Sequence, residues 1–174
     1  VIADLYNKHL YLLDGKNITE FQRAAFTHLA HGCGSMKEVK SSLMLLTTLM
    51  QQYYGKSAIL LIDEYDVPLA KANQNGYYKE MLDVMKSLMQ ALKDNQALRF
   101  AVITGCLKIA KESIFTGTNN FVSDTISNSR LNEYFGFVQD EVDQLLKDAD
   151  LIEQTENIKE WYDGYHFGDF DVYC

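Results

Sequence analysis

Apolar residues recur through the first third of the chain at the spacing of helices, and the pattern then changes to an unbroken run. Ile2, Leu5, Tyr6, His9 and Leu13 fall on one helical stripe, which Gly15 ends. Phe21, Ala24, Ala25, His28 and Leu29 form a second stripe. It is entered through Asn17-Ile18-Thr19-Glu20, which has the form of an N-terminal cap, and closed by Gly32 and Gly34. Ser35-Met36-Lys37-Glu38 reads as a capping box, with Met36, Val39, Leu43, Leu46, Leu49, Met50 and Tyr53 continuing as a long helix to Gly55. Ile59-Leu60-Leu61-Ile62 then predicts a strand buried on both faces, as in a parallel sheet. Pro68 cannot continue a ladder, and Ala70–Gly76 reads as a polar, flexible connection. Tyr78, Met81, Leu82, Met85, Leu88, Met89 and Leu92 make the cleanest amphipathic stripe, ended by Asp94-Asn95, and Arg99–Thr104 reads as a second buried strand. Strand, long helix, strand is a βαβ unit, so both strands run parallel and end on the same sheet edge.

The remainder is less regular. Cys106–Phe121 is loop-like, and Phe121–Ile126 reads as a short strand. Asp140-Glu141-Val142 starts a helix with Val142, Leu145, Leu146 and Ala149 inward, and Ile158, Trp161 and Tyr162 suggest another after Thr155. Asp163-Gly164 is a turn signal within an aromatic set, Trp161, Tyr162, Tyr165, Phe167, Phe170 and Tyr173, that reads as core. The pattern as a whole predicts an α/β fold with a mainly parallel sheet. We expect an α/β core over residues 1–134 and a helical, aromatic C-terminal segment of the same domain over residues 135–174.

The chemistry concentrates where the first strand stops. Asp63, Glu64 and Asp66 put three carboxylates within four positions, at the strand end where open parallel sheets bind ligands. Crowded acids repel, and a divalent metal carried by nucleotide phosphates would offset that repulsion. The segment has the form of a Walker B strand, in which the first acid holds Mg²⁺ and the second activates water. Parallel pairing would bring Thr104 beside Asp63 and Glu64, where its hydroxyl can sense a γ-phosphate or orient water. Lys108 and Lys111 are candidate phosphate contacts. Two tempting motifs fail. Gly55-Lys56-Ser57 resembles the end of a phosphate loop, but position 50 is Met50, and the triplet leaves a helix for a strand instead of the reverse. His28, His31 and Cys33 lack a second ligand pair for zinc.

Composition narrows the classes. The net charge of −8 and pI near 4.9 give no strong nucleic-acid signal. No apolar run approaches a membrane span. Three widely spaced cysteines, Cys33, Cys106 and Cys174, read as reduced thiols, which makes the cytoplasm the expected compartment. A metal-dependent nuclease or phosphodiesterase using the three acids directly, and a non-catalytic interaction scaffold, are the alternatives to a nucleotide site.

Three strings also resemble a known family: Leu61–Leu69 (Leu-Ile-Asp-Glu-Tyr-Asp-Val-Pro-Leu), Phe100–Phe121 and Trp161–Gly168 (Trp-Tyr-Asp-Gly-Tyr-His-Phe-Gly). Together they look like the predicted AAA-ATPase-like family of bacterial P-loop ATPases, over nearly the whole chain and in the right order. The resemblance implies a P-loop NTPase-like three-layer α/β/α fold, incomplete here because the Walker A strand and loop are expected to precede Val1. It implies ATP and Mg²⁺ as cofactors, weakly bound or unbound by this chain alone, with Asp63 on the metal, Glu64 as catalytic base and Thr104 as sensor. Asp66 would orient the site or make a subunit contact. The Lys111-Glu112-Ser113 loop matches the family without an assigned chemistry. Many members carry a fused C-terminal domain resembling restriction-type nucleases. A missing central strand would leave an unpaired sheet edge, a place for self-association.

Overall fold

Reciprocal caps start the first two long helices. In the computed structural model, which describes residues 1–93, 95–106 and 121–173, Thr19 Oγ1 accepts the Gln22 N–H at 3.2 Å while Gln22 Oε1 accepts the Thr19 N–H at 3.0 Å. Ser35 and Glu38 repeat the arrangement at 3.3 and 2.6 Å. Each box satisfies N–H groups that a helix start leaves without intrahelical partners. The helices are α1 (Ile2–Asn7), α2 (Glu20–Ala30) and α3 (Met36–Tyr54), with a 3-10 turn at Leu10–Asp14. The first stripe is therefore two short pieces instead of one helix. Their core is Tyr6, Leu12, Phe26, Leu29, Ala30, Leu46 and Leu49. The Tyr6 and Phe26 rings lie 4.6 Å apart, tilted by 55°. The Tyr6 hydroxyl is buried but donates to the Ser42 carbonyl at 2.6 Å, which removes the cost of burying it alone.

Strands β1 (Ala58–Ile62) and β2 (Leu98–Ile103) form a two-stranded parallel sheet, in register from Ile59 opposite Phe100 to Ile62 opposite Ile103. The crossover holds two helices, α4 (Val67–Gln74) and α5 (Tyr78–Met89), followed by a 3-10 turn at Gln90–Leu92. Pro68 thus opens a helix where a connection was expected. In a first turn its missing N–H costs nothing and its fixed φ suits the helix. The expectation of strands buried on both faces also fails. Ala58, Leu60 and Ile62 are half-buried, but Ile59 is 53% and Leu61 72% exposed, and their register partners Phe100 and Val102 are exposed beside them. An apolar run marks a strand able to be covered on both faces. Among the described residues, α3 and the 3-10 turn after α5 contact the strands, and alternation along both leaves every second side chain in solvent.

The chain divides into two compact units, Val1–Thr118 and Asn119–Cys174. The second holds α6 (Gln139–Asp148), α7 (Thr155–Tyr162) and an antiparallel hairpin of β3 (Asp163–Phe167) and β4 (Phe170–Tyr173). Val142, Leu146 and Tyr173 make its small core, with Ile158 against it. Three expectations need correction. Phe121–Ile126 is not a strand; a turn follows it in which Asn128 Oδ1 accepts the Thr125 N–H and hydroxyl, both at 2.8 Å. The hairpin turns at Gly168-Asp169, and Asp163-Gly164 lies inside β3. Gly168 sits at φ 58°, and a Cβ there would fall 2.4 Å from Asn132 Nδ2, so a glycine is needed. Of the aromatic set read as core, Tyr173 is buried, whereas Trp161, Tyr162 and Tyr165 are exposed. Among the described residues no helix is long and apolar enough to cross a membrane.

Candidate functional site

The parallel ladder runs one step past the strands. Thr104 N–H donates to the Ile62 carbonyl at 2.9 Å, and Tyr65 N–H donates to the Thr104 carbonyl at 3.1 Å. This holds Asp63 and Thr104 side by side at the sheet edge. The Thr104 hydroxyl donates to Asp63 Oδ1, and the Glu64 N–H donates to the same oxygen at 3.0 Å. Glu64 adopts φ 51°, in the left-handed region that few non-glycine residues occupy. That turn breaks the strand alternation, which would otherwise send Glu64 to the face opposite Asp63. The Glu64 carbonyl then accepts the Val67 N–H at 3.1 Å, and α4 begins. Asp63, Glu64 and Thr104 are exposed together at the carboxyl end of the sheet.

Asp66 goes elsewhere. It is 5% exposed, and its carbonyl accepts the N–H groups of Leu69 and Ala70 at 3.1 and 2.9 Å. Its carboxylate lies against Gly105: a Cβ at that position would fall 2.7 Å from Asp66 Oδ1 and 2.5 Å from the Tyr65 ring. The three acids therefore split into an exposed pair and a buried wall residue. Among the described residues, no group of three or more His, Cys, Asp or Glu side chains is placed to hold a metal ion. That arrangement disfavours direct use of all three acids on metal. Tyr65 and Gly105 belong to the site's support, and sequence reading missed them. The one available signal was a glycine directly after a strand end, a place where another chain approaches closely.

The other motifs separate from this edge. Gly55 closes α3 at φ 66°, with its N–H donating to the Gln51 carbonyl at 2.8 Å. Gly55-Lys56-Ser57 thus stands at the carbonyl end of a helix, which repels phosphate. His28 Nδ1 pairs with Glu38 Oε1 at 2.9 Å, tying α2 to α3. This histidine, with the hydroxyl and N–H of Ser35, holds the Glu38 carboxyl down at about 2. Cys33 and Cys106 are free thiols on the surface. Lys108, Lys111 and the Lys111-Glu112-Ser113 loop lie outside the described residues.

The acid-tipped strand β1 thus lies parallel to the hydroxyl-tipped strand β2 in an α/β domain. Residues 7–115 match the family described as predicted AAA-ATPase, and the chain belongs to that family. It is also 31% identical over 121 residues to a protein of Azotobacter chroococcum mcd 1 described as "Uncharacterized protein in vnfD 5'region". That match takes in 68% of this chain and 23% of the relative, so the chain spans less than a quarter of the relative's length. No solved structure matches.

Proposed function

We propose that Asp63, Glu64 and Thr104 are the metal- and water-handling half of an ATP-hydrolysing site on a P-loop NTPase-like fold. The observation that carries this reading is the hydrogen bond from Thr104 to Asp63 at the shared end of two parallel strands. Both donors to Asp63 use Oδ1, so the carboxylate is oriented while Oδ2 remains for a hydrated cation. A magnesium ion needs only one or two protein carboxylates when nucleotide phosphates and water complete its shell, and the donor set at this edge fits it. When bound, Mg²⁺ would supply charge neutralisation on the nucleotide phosphates. Asp63 would hold that ion through its water shell. Glu64 takes the proton of the attacking water. Thr104 keeps Asp63 in place, and its hydroxyl oxygen is left to accept a hydrogen bond from the attacking water.

No G-x-x-x-x-G-K-[ST] sequence occurs in these 174 residues. Phosphate cradling therefore falls to further polypeptide, and this chain alone binds nucleotide weakly and does not turn it over. Strands β1 and β2 each have one hydrogen-bonded neighbour among the described residues, which supports addition of a strand or self-association at their outer edges. The test is Mg²⁺-dependent ATP turnover. We expect none from the purified chain. We expect turnover from the complete gene product, with Asp63→Asn raising the Mg²⁺ requirement about tenfold or more. Steady turnover by the 174-residue chain would refute the division of labour. An unchanged Mg²⁺ dependence in Asp63→Asn would refute the role of Asp63.

A further inference from the structure

The C-terminal unit exposes aromatic surface that the site at Asp63 does not use. Trp161, Tyr162 and Tyr165 are 82%, 53% and 54% exposed within five positions. They run from the last turn of α7 into β3, elements that contact each other. The Tyr165 ring also meets Phe167 at 6.0 Å. Single exposed apolar residues are ordinary, but three large rings exposed within five positions of one another mark a candidate docking segment.

Charge identifies the occupant. Residues 119–174 contain 13 Asp and Glu against 3 Lys and Arg, whereas residues 1–118 contain 11 against 13. In the segment that holds the exposed rings, residues 151–174 carry six carboxylates and one lysine, with Glu156 and Glu160 exposed on α7. Such a surface repels phosphate-rich partners, both nucleic acid and anionic membrane. It attracts cations, and aromatic faces choose among them: a planar guanidinium stacks on a ring and forks to a carboxylate, whereas an ammonium does so less well. We propose that the exposed aromatic run from α7 into β3 binds an arginine-rich polypeptide segment.

The experiment uses the 174-residue chain with octa-arginine and octa-lysine peptides. Trp161 is the single tryptophan, so its fluorescence reports contact directly, and calorimetry serves for variants. Octa-arginine should change Trp161 emission saturably and bind about fivefold or more tighter than octa-lysine at equal salt, the factor that one or two exposed cation–π contacts give. Trp161→Ala and Tyr165→Ala should abolish that preference while leaving the salt-sensitive residual affinity and the melting temperature unchanged. Absence of binding, equal affinity for the two peptides, or a preference that survives both substitutions would overturn the proposal.

Discussion

Tyr6 and Phe26 of the N-terminal unit are wholly buried, whereas Trp161, Tyr162 and Tyr165 of the C-terminal unit stand largely in solvent. The charges differ as much: acids and bases nearly balance in residues 1–118, and acids outnumber bases more than fourfold in residues 119–174. The cause lies in what packs around each ring. Phe26 shares its face with Leu29 and Ala30 three and four positions on, and Tyr6 closes the same core from α1. On α7, Ile158 reaches the small core formed with Val142, Leu146 and Tyr173, but residues 159–162 are all exposed. An aromatic ring is core where apolar residues of several elements converge on it, as those of α1, α2 and α3 do on Tyr6 and Phe26. The same ring on a helix with one apolar contact is surface, available for recognition.

The sharpest way to break this contrast is to truncate one ring from each unit. Phe26→Ala should cost about 3–5 kcal/mol, while Trp161→Ala should change stability by less than about 0.5 kcal/mol, both read by denaturant unfolding. Comparable losses would show that the exposed ring is structural. A smaller effect tests how closely the N-terminal unit is packed beneath its site. Gly105→Ala pushes a methyl into the Tyr65 ring and Asp66 and should cost about 1–3 kcal/mol in thermal unfolding, as overpacking does. Wild-type stability there would mean that the Tyr65–Asp66 wall yields freely.

The smallest effects separate the units by pH. Each has a histidine–carboxylate pair, His28–Glu38 at 2.9 Å and His166–Asp171 at 2.7 Å. Glu38 also receives hydrogen bonds from the Ser35 hydroxyl and N–H, so its anion is favoured and its carboxyl is held at about 2, below the ordinary 4.5. Its stabilisation is fully present above pH 4.5 and is lost as pH falls toward 2. His166 is raised above its ordinary 6.5 by the hydrogen bond to Asp171, with the charges of Asp171 and Asp169 assisting. Its contribution is complete below pH 6.5 and is lost as pH rises through the folded value. His166, Asp171 and His28 are exposed and Glu38 is half-buried, so each effect is modest and weakened by salt. Glu38→Gln should flatten the acid limb of melting temperature against pH, and Asp171→Asn the limb above pH 6.5. The account of the pairs fails if either substitution leaves its own limb unchanged.

Much of the N-terminal unit was legible because its signals are local. The cap at Ser35 and the α3 stop at Gly55 follow from spacing within a few residues, and the parallel pairing of β1 with β2 follows from the order strand, helix, strand. Asp63, Glu64 and Thr104 were legible as neighbours because a βαβ unit fixes which strand ends meet. What escaped depends on contacts distant in sequence. The bare face of β1 and β2 reflects what covers a strand, which the strand's own residues do not encode. The burial of Asp66 against Gly105 and the turn at Gly168 set by Asn132 each need a partner more than 30 positions away. Pro68 misled because proline stops a strand and starts a helix with equal ease.

The measurement closest to the central claim is kcat for ATP hydrolysis by the complete gene product carrying Glu64→Gln, with ATP affinity measured alongside. If Glu64 is the base, kcat should fall by about 10²–10⁴-fold while ATP binding is retained. Turnover within a few-fold of wild type would contradict the assignment and return Asp63, Glu64 and Thr104 to the status of a hydrogen-bonded strand terminus.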